Sequence, residues 1–132
     1  MKNFKIKIFN SFNDELKNLW LEFETRSFHH IFQTYDWQKL WLEKQIEYNN
    51  KIINFTVFIY ERDELIMILP LNIKEYYRIK ILAWSGFPFS DYNSPIIKNH
   101  KKLLKENFED LWNNILSKLV NVDCIVLNNQ PE

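Results

Sequence analysis

The sequence predicts one mixed α/β domain, in which helices pack against a sheet of both antiparallel and parallel strands. Three observations support this fold class. The chain has 132 residues, the usual size of one domain. Its 46% hydrophobic and 17% aromatic content is too apolar for a disordered segment. Strand-like and helix-like patterns follow one another, and no linker or repeat divides residues 1–132.

The first third of the chain predicts one strand and two helices. Phe4, Ile6 and Ile8 alternate with lysines, as in a half-buried strand. Side chains that can cap a helix precede two stretches with apolar residues at helical spacing. The predicted elements are a strand at 4–9, a helix from an N-cap at Asn13 to about Arg26, a linker from Ser27 to Gln33, and a helix from an N-cap at Thr34 to about Tyr48, with Trp37, Leu40 and Trp41 as its buried stripe.

The rest of the chain predicts three consecutive strands, a helix and a last strand. The strands cover residues 52–60, 65–73 and 78–84, and the first two are joined by a short polar turn, as in a hairpin. Pro70 has no amide to donate, so the sheet must bulge, end or open beside it. A helix through Leu111 and Ile115 and a buried strand at 122–127 complete the order β-α-α-β-β-β-α-β. The helical crossover predicts that the last strand is parallel to the strand at 78–84.

Composition excludes several classes of function. Seventeen basic and seventeen acidic residues are interspersed, which argues against a nucleic-acid partner. The N-terminus lacks the pattern of a signal peptide, and no apolar run is long enough to span a membrane. The single cysteine, Cys124, is expected to be buried and fits a reducing compartment, so we expect a cytoplasmic protein. The three histidines do not have metal-site spacing, and we expect no metal.

The single glycine of the chain, Gly86, excludes the common phosphate-binding loops. Such loops need several glycines so that backbone amides can approach the anion. A Walker loop and a dinucleotide fingerprint are therefore both absent from this sequence.

The order of elements resembles the first five strands and three helices of the GNAT acyltransferase fold, in which two more strands normally follow. Three phrases are similar to the CelD-like group, whose members are often labelled cellulose-biosynthesis or FemAB-like acetyltransferases. They are Phe32-Gln33-Thr34-Tyr35-Asp36-Trp37, Ile68-Leu69-Pro70-Leu71 and Ser90-Asp91-Tyr92-Asn93-Ser94-Pro95. Members of that group are longer and look like tandem GNAT-like halves. The resemblance implies that this chain is the N-terminal half, an incomplete GNAT fold.

The resemblance implies transfer of an acyl group, with acetyl the expected one, from coenzyme A to an amine or hydroxyl of a small molecule, saccharide or peptide. Catalytic GNAT domains hold the coenzyme A pyrophosphate on spaced glycines before the third helix, where this chain has Gly86 alone. We therefore expect the C-terminal half, in the same or another chain, to bind acetyl-CoA or another acyl-CoA.

The loop from Ser85 to Pro95 is the first candidate for substrate contact, because it joins turn-forming residues to aromatics after a strand. Asp91 could accept a proton as the catalytic base, with Tyr92 and Ser90 binding the acceptor. Alternatively, Asp91 bonds to nearby backbone amides and braces the loop.

Gln33 and Trp37 are further candidates for substrate binding, beside the start of the second helix. Trp37 could equally belong to the core. His29 and His30 could supply a base, although adjacent loop histidines are usually solvated.

Two functions remain open from the sequence. One is the substrate-side part of an acyltransferase, and the other is a non-catalytic GNAT-like module that binds a partner protein or a saccharide. A glycine-bearing pyrophosphate loop in a downstream region would favour the enzyme.

Overall fold

The computed structural model describes residues 4–48, 51–86, 93–99, 101, 105–128 and 130. The helices are α1 Asp14–Glu24, α2 Tyr35–Tyr48 and α3 Lys105–Ser117, and a 3-10 helix covers Ile31–Gln33. The strands are β1 Phe4–Phe9, β2 Ser27–Phe28, β3 Ile52–Glu61, β4 Glu64–Tyr76, β5 Ile79–Trp84, β6 Ile96–Lys98 and β7 Cys124–Val126.

These strands form one mixed sheet with the main order β1-β3-β4-β5-β7. The pairs from β1 to β5 are antiparallel, and β7 is parallel to β5, with Leu82 opposite Ile125. The mixed fold and the parallel last strand are therefore confirmed. The sequence analysis missed the short strands β2 and β6, which pair with each other, and β6 also pairs with β4.

The helices begin where the sequence offers a capping side chain. Asn13 Oδ1 accepts a hydrogen bond of 2.9 Å from the amide of Leu16 at the start of α1. Thr34 Oγ1 accepts a longer one of 3.4 Å from Trp37 N at the start of α2. Both predicted caps are thus confirmed, since each satisfies an amide that has no partner within its helix.

Two tight turns join the central strands and require left-handed backbone. Arg62 and Asp63 have φ values of 50° and 64° between β3 and β4. Tyr77 and Arg78 have φ values of 48° and 68° between β4 and β5. Positive φ at both central residues matches the right-handed twist of antiparallel strands. Arg78, predicted as the first residue of a strand, therefore belongs to the turn.

Apolar side chains cover both faces of the central sheet. On one face, Val57, Leu71 and Leu82 pack with Leu111 and Ile115 of α3. On the other face, the buried cluster joins strand residues to the inner side of α1. Its members are Phe9, Leu16, Trp20, Phe23, Tyr35, Phe58, Leu65, Ile68 and Ile96.

Two burial predictions and one linker prediction were wrong. Cys124 and the rest of β7 are exposed, because β7 is the edge strand of the described sheet. Leu40 is 56% exposed, since α2 turns it away from the strands, while Trp41 is buried. The stretch from Ser27 to Gln33 is also more than a linker, because tertiary pairing with β6 makes its first two residues a strand.

Candidate functional site

The sheet has an opening beside Pro70, on the side of β4 that faces away from β3. That side of β4 pairs with β5 from Leu71 onward and with β6 at Met67 and Ile68, so Pro70 lies between the two partner strands. The Pro70 carbonyl accepts a hydrogen bond of 2.9 Å from Ser85 N. Because the carbonyl and amide positions of one strand residue point the same way, the missing N–H of Pro70 also faces this opening. Of the three alternatives that the sequence left at Pro70, a bulge, an edge or an opening, the structure has the opening.

The ends of β5, β6 and β7 meet at this opening. The chain leaves β5 through Ser85 and Gly86, whose φ of 112° favours glycine. It is described again from Asn93, which is buried and precedes β6. Asn93 Nδ2 donates a hydrogen bond of 2.9 Å to the carbonyl of Asn128, just after β7. This bond joins the segments that flank β6 and β7.

A cavity of about 200 Å³ lies on the α3 side of the opening. Apolar side chains of the sheet, α3 and the segment after β7 line it: Leu69, Leu71, Trp84, Phe108, Trp112 and Leu127. Trp84 is 2% exposed, and its Nε1 has no hydrogen-bond partner in the described part of the chain. A buried donor without a partner costs about 1–3 kcal/mol of folding free energy.

A buried polar cluster lies on the α2 side of the same strands. Gln38 Nε2 donates to the carbonyls of Phe32 and Ser85, at 2.7 and 3.1 Å. Asn72 Nδ2 donates to Ser85 Oγ at 3.1 Å. Gln38 and Asn72 are each at most 1% exposed, yet Gln38 Oε1 and Asn72 Oδ1 have no donor among the described residues. Two amide oxygens beside Ser85 therefore lie buried without a donor in this part of the chain, which is unusual for buried polar groups.

Lys74 is a buried amine on the same strand as Asn72. It is 5% exposed, and its Nζ lies 5.0 Å from the ring centre of Trp41. Burial lowers the pKa of Lys74, because the charged form loses its hydration there. The Trp41 ring partly compensates by attracting the cation.

Comparisons with known proteins give a structural likeness only. Neither a protein-family model nor a curated protein matches the sequence. The fold is similar to the crystal structure of a GNAT family acetyltransferase from Staphylococcus aureus subsp. aureus USA300_TCH1516. The TM-score is 0.55 at 14% sequence identity, and the alignment covers 99% of this chain and 89% of that chain. This chain has a GNAT-like fold.

In this GNAT-like fold, the opening lies where the parallel pair β5 and β7 ends. The pairing runs from Ile81 and Cys124 to Ala83 and Val126, and no pair follows it in the described residues. The cavity and the polar cluster therefore lie on opposite faces of the sheet, next to the same strand ends.

Three predicted site residues, Ser90, Asp91 and Tyr92, fall outside the described residues, and their roles stay predictions. The described residues on either side of them, Gly86 and Asn93, are both buried beside the opening.

Gln33 is buried within the 3-10 helix, where its Oε1 accepts a hydrogen bond of 2.9 Å from His30 N. Its carbonyl also accepts one from Trp20 Nε1 at 3.2 Å. These hydrogen bonds give Gln33 a structural role in the 3-10 helix. Its contact with substrate stays a prediction.

Trp37 is half-buried on α2 and lies edge-to-face with Phe32, with ring centres 5.3 Å apart. It lines a surface groove of about 370 Å³ on this helix, together with Leu40, Trp41 and Tyr48. The groove has an aromatic wall and is separate from the cavity under α3. Substrate binding by Trp37 stays a prediction.

Gln38, Asn72 and Trp84 were not predicted to lie at the candidate site, and Ser85 was included only as the first residue of the loop from Ser85 to Pro95. Asn72 could have been predicted from the sequence, because a buried amide between Leu71 and Ile73 in an apolar strand must find a hydrogen-bond partner or lower the stability of the fold. Gln38 could not, since a polar residue on a helix usually faces water.

No group of three or more His, Cys, Asp or Glu side chains is placed to hold a metal ion in the described part of the chain. None of its helices is both long and apolar enough to cross a membrane.

Proposed function

We propose that this chain is the substrate-side part of a GNAT-type acyltransferase, which transfers an acyl group from coenzyme A to an amine or hydroxyl acceptor. The observation that carries the proposal is the opening at Pro70. It combines the ends of a parallel strand pair with a buried polar cluster, in which the amide oxygens of Gln38 and Asn72 have no donor among the described residues.

In the proposed reaction, the acceptor attacks the thioester directly while both substrates are bound, and coenzyme A leaves as the thiol. Asp91 would take the proton from the acceptor nitrogen or oxygen, while Ser90 and Tyr92 orient it. Gln33 and Trp37 would contact the acceptor from the α2 side. Ser85 is fixed by Gln38 and Asn72 at the start of that loop.

The acyl donor belongs mainly to a second GNAT-like half in this proposal, in the same or another chain. Gly86 is the single glycine between β5 and α3, so this half offers few close backbone approaches to a pyrophosphate. The finer assignment to the CelD-like group depends on the three short phrases named above. A cytoplasmic location also remains part of the proposal.

The direct test is acceptor-dependent release of coenzyme A thiol by the protein encoded by the complete gene. A panel of amines and hydroxyl compounds, including amino sugars and short peptides, would be assayed with acetyl-CoA and longer acyl-CoA donors. Turnover with at least one acceptor is expected. A folded, complete protein that releases no thiol with any donor would contradict the proposal.

Calorimetric titration of this chain alone with acetyl-CoA tests the assignment of the halves. Weak binding or none is expected. Stoichiometric micromolar binding would place the donor site in this half instead.

The alternative function is a non-catalytic module for a partner protein or a saccharide. The aromatic groove on α2 favours it, because the half-buried Trp37 and the 87% exposed Tyr48 present ring surface to solvent there. Under this alternative, Leu40→Glu should weaken binding of the partner or saccharide at this groove, and the complete protein should release no thiol from any acyl-CoA donor.

A further inference from the structure

One end of the central sheet leaves large apolar side chains exposed. Three segments of the chain meet there, at the start of β3, around the turn between β4 and β5, and between α3 and β7: 51–53, 75–80 and 118–123. Backbone hydrogen bonds join the three segments: Glu75 N to Lys51 O at 3.3 Å, and Asp123 N to Lys80 O at 2.8 Å. We call their surface the β4–β5 end. Its apolar side chains that are about half exposed or more are Ile53, Tyr76, Tyr77, Ile79 and Val120.

The turn between β4 and β5 holds a tyrosine that does not serve the fold. Tyr77 is 99% exposed, so its ring makes almost no contact with the rest of the chain. Tyr77 and Arg78 both have positive φ, which glycine or asparagine adopts with less strain in such a turn. The turn of Arg62 and Asp63 at the opposite end of β4 also has positive φ, but there Asp63 pairs with Lys5. A fully exposed tyrosine held in a strained position indicates a role outside the fold.

The β4–β5 end is positively charged, whereas the whole chain has no net charge. Its three segments contain two carboxylates and four cations: Glu75 and Asp123, and Lys51, Arg78, Lys80 and Lys118. Lys51 lies 3.9 Å from Glu75, so one cation is largely balanced within the fold. The neighbouring last turn of α2 does not change this balance, because Lys44 and Glu47 pair there at 3.6 Å. The excess of cations attracts anionic partners.

We propose that the β4–β5 end binds the surface of a membrane that contains anionic lipids. Tyrosine is enriched where a bilayer meets water, because its ring is apolar and its hydroxyl is polar. Isoleucine and valine can enter the same layer, while lysine and arginine bind anionic headgroups through their charge. A protein partner is a poorer match, because lysine is depleted at protein interfaces and three of the four cations here are lysines.

This inference goes beyond the proposed acyltransferase function and does not depend on it. The strand β5 begins at the β4–β5 end with Ile79 and finishes with Trp84, next to the opening at Pro70. At about 3.4 Å per residue, these two ends of β5 are roughly 17 Å apart. Side chains of a surface-bound protein enter a bilayer by only about 5–10 Å. The opening at Pro70 therefore stays clear of the membrane in the bound protein.

The test is co-sedimentation of the complete protein with vesicles of phosphatidylcholine alone, or of phosphatidylcholine mixed equally with phosphatidylglycerol. Binding to the mixed vesicles is expected at low salt and should be lost at high salt, since salt screens the attraction. Soluble glycerophosphoglycerol at the same phosphate concentration should not compete, because a bilayer surface is the expected partner. Absence of binding to the mixed vesicles at low salt, or full competition by the soluble headgroup, would overturn the proposal.

Two variants with matched controls locate the contact on the protein. Arg78→Gln should weaken vesicle binding about fivefold, the contribution of one cation near an anionic surface, whereas Arg62→Gln at the opposite end of β4 should not change it. Tyr77→Ser should also weaken binding, and Phe28→Ser, which removes another exposed ring, should not.

Thermal unfolding checks that these variants fold. Tyr77 and Arg78 are exposed, so Tyr77→Ser and Arg78→Gln should unfold at nearly the same temperature as the unchanged protein. A loss of vesicle binding with an unchanged Tm would support the proposal. Equal vesicle binding by Arg78→Gln and Arg62→Gln, and by Tyr77→Ser and Phe28→Ser, would overturn it.

Discussion

Asn72→Leu should make the protein more stable, although it removes a buried hydrogen bond. Asn72 donates one bond, to Ser85 Oγ, and its Oδ1 is buried without a donor in the described chain. Loss of the bond costs about 1–2 kcal/mol, because it leaves the buried Ser85 Oγ without this donor, while removal of the unpaired oxygen returns about 1–3 kcal/mol. The net expectation is a gain of up to about 1 kcal/mol, or roughly up to 5 °C in Tm for a domain of this size.

Asn54→Leu is the matched control, because Asn54 lies directly opposite Asn72 in the β3–β4 pair. Both of its amide atoms are used: Nδ2 donates to Phe9 O at 3.0 Å, and Oδ1 accepts from Thr56 Oγ1 at 3.0 Å. The same substitution there leaves two buried groups without partners, so it should cost about 2–4 kcal/mol.

Thermal and urea unfolding, followed by circular dichroism, measure both variants, and thiol release measures their activity. We expect opposite signs in stability, and lost transfer activity in Asn72→Leu despite the higher Tm. If Asn72→Leu destabilises the fold as much as Asn54→Leu, Asn72 Oδ1 has a partner such as a buried water. That result would contradict the absence of a donor for Asn72 Oδ1.

Four other predictions address separate features. Burial lowers the pKa of Lys74 below its ordinary 10.5, so the unfolded chain binds more protons at this residue and the free energy of unfolding should rise with pH toward 10.5. In Lys74→Met, urea unfolding at pH 7 and pH 10 should show a smaller rise. An unchanged rise would exclude Lys74 as its source. Arg78→Gly should raise the free energy of unfolding by about 1 kcal/mol, because φ is 68° at this position and glycine adopts positive φ without strain. Lys80→Gly within β5 should lower it by roughly 0.5–1 kcal/mol. Equal losses of stability in thermal unfolding would contradict the turn geometry. Cys124 should react with DTNB in the folded protein, since it is exposed, and a reaction that requires denaturant would show that it is covered. Asp91→Asn should lower turnover of the complete protein with little change in Tm if Asp91 is the base; a parallel loss of both would indicate a bracing role, and unchanged turnover would remove it from the site.

The main elements were predictable because their patterns are local. The alternation of Phe4, Ile6 and Ile8, the cap at Asn13 and the helical crossover before β7 each depend on neighbouring residues, and all are confirmed. Pro70 was informative for the same reason, since a proline cannot donate to any partner strand.

The features that were missed depend on distant contacts. Ile96–Lys98 is too short to show alternation, and β6 exists because it pairs with β4 and β2. The apolar residues of β7 predicted burial, but burial requires a covering element, which the described chain does not place there. The polar cluster joins Gln38 and Ser85, which are 47 residues apart in sequence, and no local pattern reports such an encounter.

The two end strands of the main β1-β3-β4-β5-β7 order differ in how they should behave in concentrated solution. The β1 edge carries Lys5, which is paired with Asp63 at 2.9 Å, and charged edges discourage pairing with a second molecule. The β7 edge presents Ile125 and Val126, each more than a third exposed, without a charge between Cys124 and Val126. Of these two edges, β7 is therefore the one expected to pair with a second copy of this chain, and Ile125→Lys should raise solubility without altering the opening at Pro70.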